Sequence, residues 1–184
     1  MGQPPFPADV IAQHDWRLFC AYPEDPIMPL VCEFYANITD PKEGTMYAEV
    51  FKFPEEAINA IFGLRDPVDE HSEFVEEVTE PKLLTVLETV AVTEAEWNVS
   101  SLGAYTCLQS SLNLATKIWY HFLKSYLLPT THGKTVSKDR ALLLYSILIG
   151  KSINVGRIIY KEICACAAKK LGALFFLSLI IKLC

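Results

Sequence analysis

Carboxylates are the most numerous side chains in this protein that could do chemistry, and they are densest in one segment. Residues 65–82 read RDPVDEHSEFVEEVTEPK. Carboxylates that project from the strands of a sheet can hold two metal ions for phosphoryl transfer. Here the acids fall in predicted loops and helix starts, so we interpret the segment as a solvated loop with one helical turn. A metal centre would require several of six candidates to converge: Asp66, Asp69, Glu70, His71, Glu73 and Asp139.

The histidines show no catalytic or metal-binding pattern. His14, His71, His121 and His132 are dispersed along the chain. Only His132 stands out, because it follows Pro-Thr-Thr in a predicted loop. A single loop histidine more often forms a turn hydrogen bond than acts as a base or a metal ligand.

Short catalytic motifs are also missing from the sequence. There is no GxSxG turn, no HExxH helix and no glycine-rich phosphate loop, since Gly150, Gly156 and Gly172 are widely spaced. We therefore predict that the protein is not an enzyme. We predict no catalytic, cofactor-binding or metal-ligating residues.

The cysteines are better explained as buried thiols than as metal ligands or disulfides. No two form a CxxC pair, and no Cys/His spacing matches a zinc finger. Residues 1–10 lack the basic and apolar parts of a secretory signal peptide. We expect reduced thiols in an intracellular protein, nuclear or cytoplasmic. The six cysteines are Cys20, Cys32, Cys107, Cys164, Cys166 and Cys184.

Charge is divided unevenly along the chain. Residues 1–100 hold 20 acidic and 5 basic residues, a net charge of −15, and residues 101–184 hold 2 acidic and 11 basic residues, a net charge of +9. A basic half could bind nucleic acid. We favour the alternative that the two halves screen each other, because the basic residues stand singly among apolar ones. Nucleic-acid binding would need seven of them on one open face: Lys117, Lys124, Lys134, Lys138, Lys151, Arg157 and Lys161.

Residues 108–156 carry the strongest secondary-structure signal. Apolar residues at intervals of three and four predict a helix that ends at Pro129. A second helix, apolar almost all round, is predicted from a capping Ser137 to Gly150. We expect Trp119 to be buried against residues 141–149. The predicted buried face of the first helix comprises Leu108, Leu112, Leu114, Ala115, Ile118, Trp119, Phe122, Leu123 and Tyr126.

The remaining elements are shorter. We predict helices at residues 10–19, 27–38, 54–63, 83–92 and 155–170, a turn at residues 37–44 and a strand at residues 45–53. In the 83–92 helix the inward residues should be Leu83, Leu84, Leu87 and Val90.

The C-terminal run, residues 171–183, is strongly apolar. It is shorter than the about 20 residues that span a bilayer, so we predict a buried helix and no membrane span. The run ends at Cys184 without a polar cap, which favours a domain that continues beyond this chain.

Several blocks of sequence, taken in order, resemble one family. They are VCEFYAN at 31–37, FPEEAIN at 53–59, ATKIW at 115–119, LLPTTH at 127–132, VSKDRA at 136–141, INVG at 153–156 and LIIKLC at 179–184. Their order and spacing resemble the putative plant transposon protein domain, which occurs in transposon-derived and envelope-like open reading frames of plant retroelements. The resemblance covers residues 16–184. It implies no site residues, because that family has no established catalytic residues.

These observations lead to one overall interpretation. We expect a mainly α protein, with a single helical domain at residues 16–184, a small β element near residues 45–53 and a loose leader at residues 1–15. The expected function is a non-enzymatic structural or interaction domain of a plant transposable-element-derived protein, which binds a protein partner or associates with itself. The alternative is a nucleic-acid-binding accessory protein that uses the basic half, and a degenerate enzyme or envelope remnant is the third hypothesis.

Overall fold

The structure is a computed structural model of the 184-residue chain, and it describes residues 7–18, 32, 38–42, 45–48, 52–64, 68–128 and 133–168. The helices are α1 (Pro7–Gln13), α2 (Glu55–Ile61), α3 (Glu70–Glu76), α4 (Glu80–Val90), α5 (Leu114–Tyr126), α6 (Lys138–Ile149) and α7 (Val155–Ala168). The strands are β1 (Ile38–Lys42), β2 (Thr45–Ala48), β3 (Lys52–Pro54), β4 (Asn98–Val99), β5 (Tyr105–Leu108) and β6 (Thr135–Ser137). The predicted mainly helical class with a small amount of β structure is confirmed.

The chain forms two compact units that interleave in sequence. The first unit comprises Met1–His14 and Pro67–Ile153, and the second comprises Asp15–Asp66 and Asn154–Cys184. Part of the predicted leader is helical, since α1 lies within it. The predicted helix at residues 10–19 is wrong in its bounds, because α1 ends at Gln13, before Trp16.

Helix α6 is the centre of the first unit. It packs against α3, α4 and α5, which explains why it is apolar almost all round. Its fully buried apolar residues are Ala141, Leu142, Leu143, Leu144 and Ile147. Gly150 ends the helix at a φ of 75°, as predicted, and the Lys151 N–H donates to the Ser146 carbonyl across the end of the last turn. Ser137 does stand at the N-cap position but forms no capping hydrogen bond with its side chain.

Helix α5 begins later than its sequence pattern predicts. Asn113 caps it by accepting a hydrogen bond from the Thr116 N–H at 2.9 Å. Trp119 is 1% exposed, which confirms its predicted burial. The prediction was wrong for Leu114 and Ile118, which are 78% and 45% exposed. The buried face is turned away from them, and it comprises Thr116, Trp119, Tyr120 and Leu123.

Segments before and after α5 form a sheet that the sequence did not predict. Strands β4, β5 and β6 make a three-stranded antiparallel sheet in that order. Leu108 pairs with Thr135 in it and is half exposed, so its predicted helical position was wrong. Cys107 and Val136 are paired in the register and buried. The sheet forms because β6 arrives from a distant part of the sequence, which a local helical periodicity cannot reveal.

The acidic segment is largely helical, contrary to the predicted loop. Asp69 caps α3 by accepting a hydrogen bond from the Ser72 N–H at 3.2 Å. Helix α4 follows after three residues, with Pro81 in its first turn. Val86 is buried in α4, whereas Leu84 is 59% exposed, so the predicted inward position of Leu84 was wrong.

The second unit combines a small sheet with two packed helices. Strands β1, β2 and β3 form an antiparallel sheet in chain order. The predicted single strand at residues 45–53 is therefore two paired strands, and part of the predicted turn at residues 37–44 belongs to β1. Helices α2 and α7 pack together. Gly63, the last residue of the helix predicted at residues 54–63, follows α2 at a φ of 63° and ends the segment. The predicted helix at residues 27–38 lies outside the described residues except for a helical Cys32 and for Ile38, where the prediction was wrong because Ile38 begins β1. The prediction for residues 171–183 lies wholly outside them.

Candidate functional site

Among the described residues of the first unit, a group of hydrogen bonds joins the start of α3 to the segment that follows α6. The Ser152 N–H donates to Glu70 Oε2 at 2.7 Å, and the His71 N–H donates to the Ser152 carbonyl at 3.1 Å. The Ser152 hydroxyl lies 3.0 Å from Glu70 Oε2 and also contacts the Val68 carbonyl. The backbone N–H and then the hydroxyl of Ser152, with a smaller effect of the Lys151 charge, hold the pKa of Glu70 below its ordinary value. We call this contact the α3 junction.

Ring contacts extend the α3 junction along α6. Phe74 stacks on Tyr145 with the ring centroids 5.3 Å apart. Lys151 Nζ lies 5.5 Å from the centroid of the Phe74 ring, close enough for a cation–π contact. The junction thus holds an acidic helix against the central helix by polar and aromatic contacts together.

A serine and a histidine meet inside the first unit. His71 Nδ1 lies 2.9 Å from Ser146 Oγ. A serine nucleophile needs such a base, but it must also reach a substrate. Ser146 is 0% exposed on the central helix and His71 is 8% exposed. The pair therefore serves as a buried hydrogen bond between α3 and α6, which satisfies two polar groups that would be costly to bury alone.

The six candidate metal ligands occupy different places. Asp69 caps α3, Glu70 and His71 form the contacts described above, and Glu73 is exposed on α3. Asp139 is exposed in the first turn of α6. Asp66 lies outside the described residues, as does His132. Among the residues that the structure describes, no group of three or more His, Cys, Asp or Glu side chains could hold a metal ion.

Two asparagines form a polar contact among the described residues of the second unit. Asn59 Nδ2 donates to Asn154 Oδ1 at 3.0 Å, and Asn59 Oδ1 accepts from the Gly156 N–H at 2.8 Å. Asn154 Oδ1 also accepts from the Arg157 N–H at 3.0 Å. The first N–H groups of a helix have no partner within the helix. The two side chains supply acceptors for two of these groups in α7, and both are buried.

The asparagine pair was missed by the sequence analysis as a contact. Asn59 and Asn154 each lie in a block that carried the family resemblance, 53–59 and 153–156, but the blocks are far apart in sequence. The sequence did offer a signal for Asn154 alone, because an asparagine directly before a predicted helix fits the N-cap position. Nothing local identifies Asn59 as its partner.

Cys107 is the buried thiol of the β4–β6 sheet. It is fully buried, and burial raises the pKa of its thiol to about 11. The thiolate is the reactive form of cysteine, so Cys107 is an inert packing residue at neutral pH.

Cys107 should therefore react with iodoacetamide at pH 8 at least ~100-fold more slowly than the exposed Cys32, since raising the pKa of the Cys107 thiol to about 11 lowers its own thiolate fraction about 100-fold and burial excludes the reagent. Peptide mass spectrometry after timed labelling measures both rates in one sample. A Cys32→Ser variant is the control for assignment. Comparable labelling of the two cysteines in the folded protein would contradict the buried environment of Cys107.

The predicted basic residues belong to several elements of the described structure. In the first unit, Lys117 and Lys134 are exposed, Lys124 Nζ lies 4.8 Å from the centroid of the Tyr120 ring, and Lys151 is part of the α3 junction. Arg157 and Lys161 belong to α7 of the second unit. The five lysines of the predicted set in the first unit thus lie on several elements. Two are in α5, one directly precedes β6, one begins α6 and one follows α6.

An exposed face of α5 combines basic and apolar side chains. Its members recur at three and four residues and therefore share one side of the helix. We call this face the α5 stripe, and it comprises Leu114, Lys117, Ile118, His121 and Ser125, all exposed. The stripe is unusual for a helix surface because two of its large apolar side chains, Leu114 and Ile118, are exposed to solvent.

No helix in the described part of the chain has both the length and the apolar character needed to cross a membrane. Residues 171–183, for which a buried helix was predicted, lie outside the described part.

Comparison with known proteins identifies one family. The family model described as putative plant retrotransposon-related domain matches residues 12–184. No curated protein and no solved structure matches the chain. The match spans almost the whole sequence and confirms the resemblance to a plant mobile-element family that the sequence blocks predicted.

Proposed function

The chain belongs to the family of the putative plant retrotransposon-related domain, and on that premise we propose that it is a non-enzymatic interaction module of a plant retrotransposon-derived protein. The observation that carries the proposal is that polar side chains which could do chemistry are buried between helices. His71, Ser146, Asn59 and Asn154 are buried and hold helices together. Catalysis needs such groups in contact with substrate.

The exposed surface of α5 independently supports the same proposal. The α5 stripe presents Leu114 and Ile118 to solvent. Apolar side chains that stand together on a surface with charged neighbours are typical of sites that bind other proteins. An interaction module therefore explains both the buried polar pairs and the exposed apolar pair.

Nucleic-acid binding is the second candidate, and the exposed Lys117 and His121 on α5 favour it. Tight non-specific binding requires several phosphates to be neutralised together. The basic residues of the first unit instead lie on several elements, and Lys151 faces Glu70 and Phe74. A net charge of −6 adds repulsion from a polyanion.

The test is affinity purification of the tagged full chain from plant tissue, with and without nuclease. We expect the captured proteins to remain after nuclease treatment. A parallel titration of duplex and single-stranded DNA and RNA should show no micromolar binding at physiological salt. Loss of every captured protein on nuclease treatment, or tight binding with a steep salt dependence, would contradict the proposal and favour the second candidate.

A further inference from the structure

The α5 stripe has a definite chemistry and size. Leu114 and Ile118 lie one turn apart, and Lys117 and His121 flank them along the same side of the helix. From Leu114 to His121 the stripe spans about 10 Å of helix axis, at about 1.5 Å per residue. A partner surface that fits it presents one apolar side chain between acidic ones, on a similar length.

Such a surface exists on α4 of the same chain. Glu80, Leu84 and Glu88 recur at intervals of four residues and are all exposed, with Leu84 at 59%. Glu80 and Glu88 stand about 12 Å apart along the axis, with Leu84 midway. We call these three residues the α4 stripe. The Tyr105 hydroxyl donates to Glu80 Oε1 at 3.1 Å, which helps to fix that carboxylate at one end.

We propose that the α5 stripe of one molecule binds the α4 stripe of a second copy of this chain. Leu84 would pack between Leu114 and Ile118, while Glu80 and Glu88 would face Lys117 and His121. Charge complementarity around matched apolar side chains favours this contact, since both stripes are exposed and each has the charge that the other lacks. This inference rests on the proposed interaction function and names its partner.

The nature of the two stripes also predicts the strength of the association. Each stripe is a short part of one helix, so the contact belongs to the weak, transient class that buries less than about 1,200 Å² in total. Its charged pairs lie at the rim, where they mainly accelerate encounter and are screened by salt. We therefore expect a self-association that depends on concentration and weakens as salt increases.

The experiment is sedimentation velocity of the full chain, treated with nuclease, from about 10 μM to about 1 mM, the range in which a weak contact is populated. Two variants each block one stripe. Leu84→Lys places a positive charge opposite Lys117, and Ile118→Glu places a negative charge opposite Glu80 and Glu88. Leu102→Glu is the matched control, because Leu102 is 93% exposed in the turn between β4 and β5 and lies on neither stripe. Thermal unfolding by circular dichroism verifies that all variants fold, as expected for exposed positions.

The decisive sample is an equimolar mixture of the two blocked variants. Each variant alone should sediment as a monomer, whereas the mixture retains one pair of unaltered stripes and should associate again. The wild type and Leu102→Glu should associate alike, and about 1 M salt should reduce the association by at least ~10-fold, because the screening length then falls to about 3 Å.

Three results would overturn the proposal: a wild-type monomer at the highest concentration, blocked variants that associate like the wild type, or a mixture that stays monomeric. Loss of the proposed function is a separate outcome, because it is measured in the purification from plant tissue. Nuclease-resistant capture of another protein by a monomeric chain would leave the interaction function in place and eliminate self-association.

Discussion

Replacing Trp119 by alanine should lower the free energy of unfolding by about 3–5 kcal/mol, the usual cost of removing a large aromatic side chain from a core. Trp119 is fully buried on α5, which packs against the central helix α6, and its ring lies edge-on to Phe122 at 5.5 Å between centroids. Urea denaturation followed by circular dichroism measures the change.

The matched control is Leu114→Ala on the same helix. Leu114 is apolar but mostly exposed, so its removal should change the free energy of unfolding by about 0.5 kcal/mol or less. Trp119→Phe should be milder than Trp119→Ala, because phenylalanine keeps much of the buried ring. The Trp119 indole N–H also finds no acceptor among the described residues, so phenylalanine gives up no hydrogen bond there. Equal losses for Trp119→Ala and Leu114→Ala would contradict the position of α5 in the core.

Replacing Asn59 by alanine should destabilise the protein by about 2–4 kcal/mol, because each buried group that loses its partner costs about 1–3 kcal/mol. The substitution removes the acceptor of the Gly156 N–H and the donor to Asn154 Oδ1, both at the start of α7. Chemical denaturation measures the loss, and the exposed Asn98→Ala is its control.

Asn59→Asp adds a pH-dependent test of the same contact. An ionised carboxylate can accept from the Gly156 N–H but cannot donate to Asn154 Oδ1, whereas the protonated acid can do both. Burial should raise the pKa of the new carboxyl above its unfolded value. The stability that depends on its proton is then present at low pH and is lost as the pH rises through the folded pKa. A destabilisation by Asn59→Asp that does not change between pH 4 and pH 7 would contradict the donor role of Asn59.

The helices with the clearest sequence signals were predicted best. The nearly continuous apolar run of α6 indicates a buried helix wherever it lies, and Gly150 marks its end because glycine readily adopts a positive φ. Gly63 marks the end of α2 for the same reason. These features depend on a few neighbouring residues, so the sequence alone is enough.

The errors arose where distant segments decide the local structure. Leu108 continues the apolar spacing of α5, yet it belongs to β5 because Thr135 of β6 pairs with it. The acidic residues 70–76 resemble a solvated loop, yet they form α3, which His71 and Phe74 hold against α6. Local periodicity contains no information about such partners.

The same division holds for the polar contacts and the surface. Sequence determined which residue types were available, the helical class, the charge separation and the family blocks that include Asn59 and Asn154. Only the tertiary structure decided that these asparagines meet at α7, that His71 and Ser146 are buried together, and that Leu84, Leu114 and Ile118 face outward. The physical reason is that an amphipathic pattern shows which residues share a face of a helix. Which of those residues become buried depends on where the neighbouring elements pack.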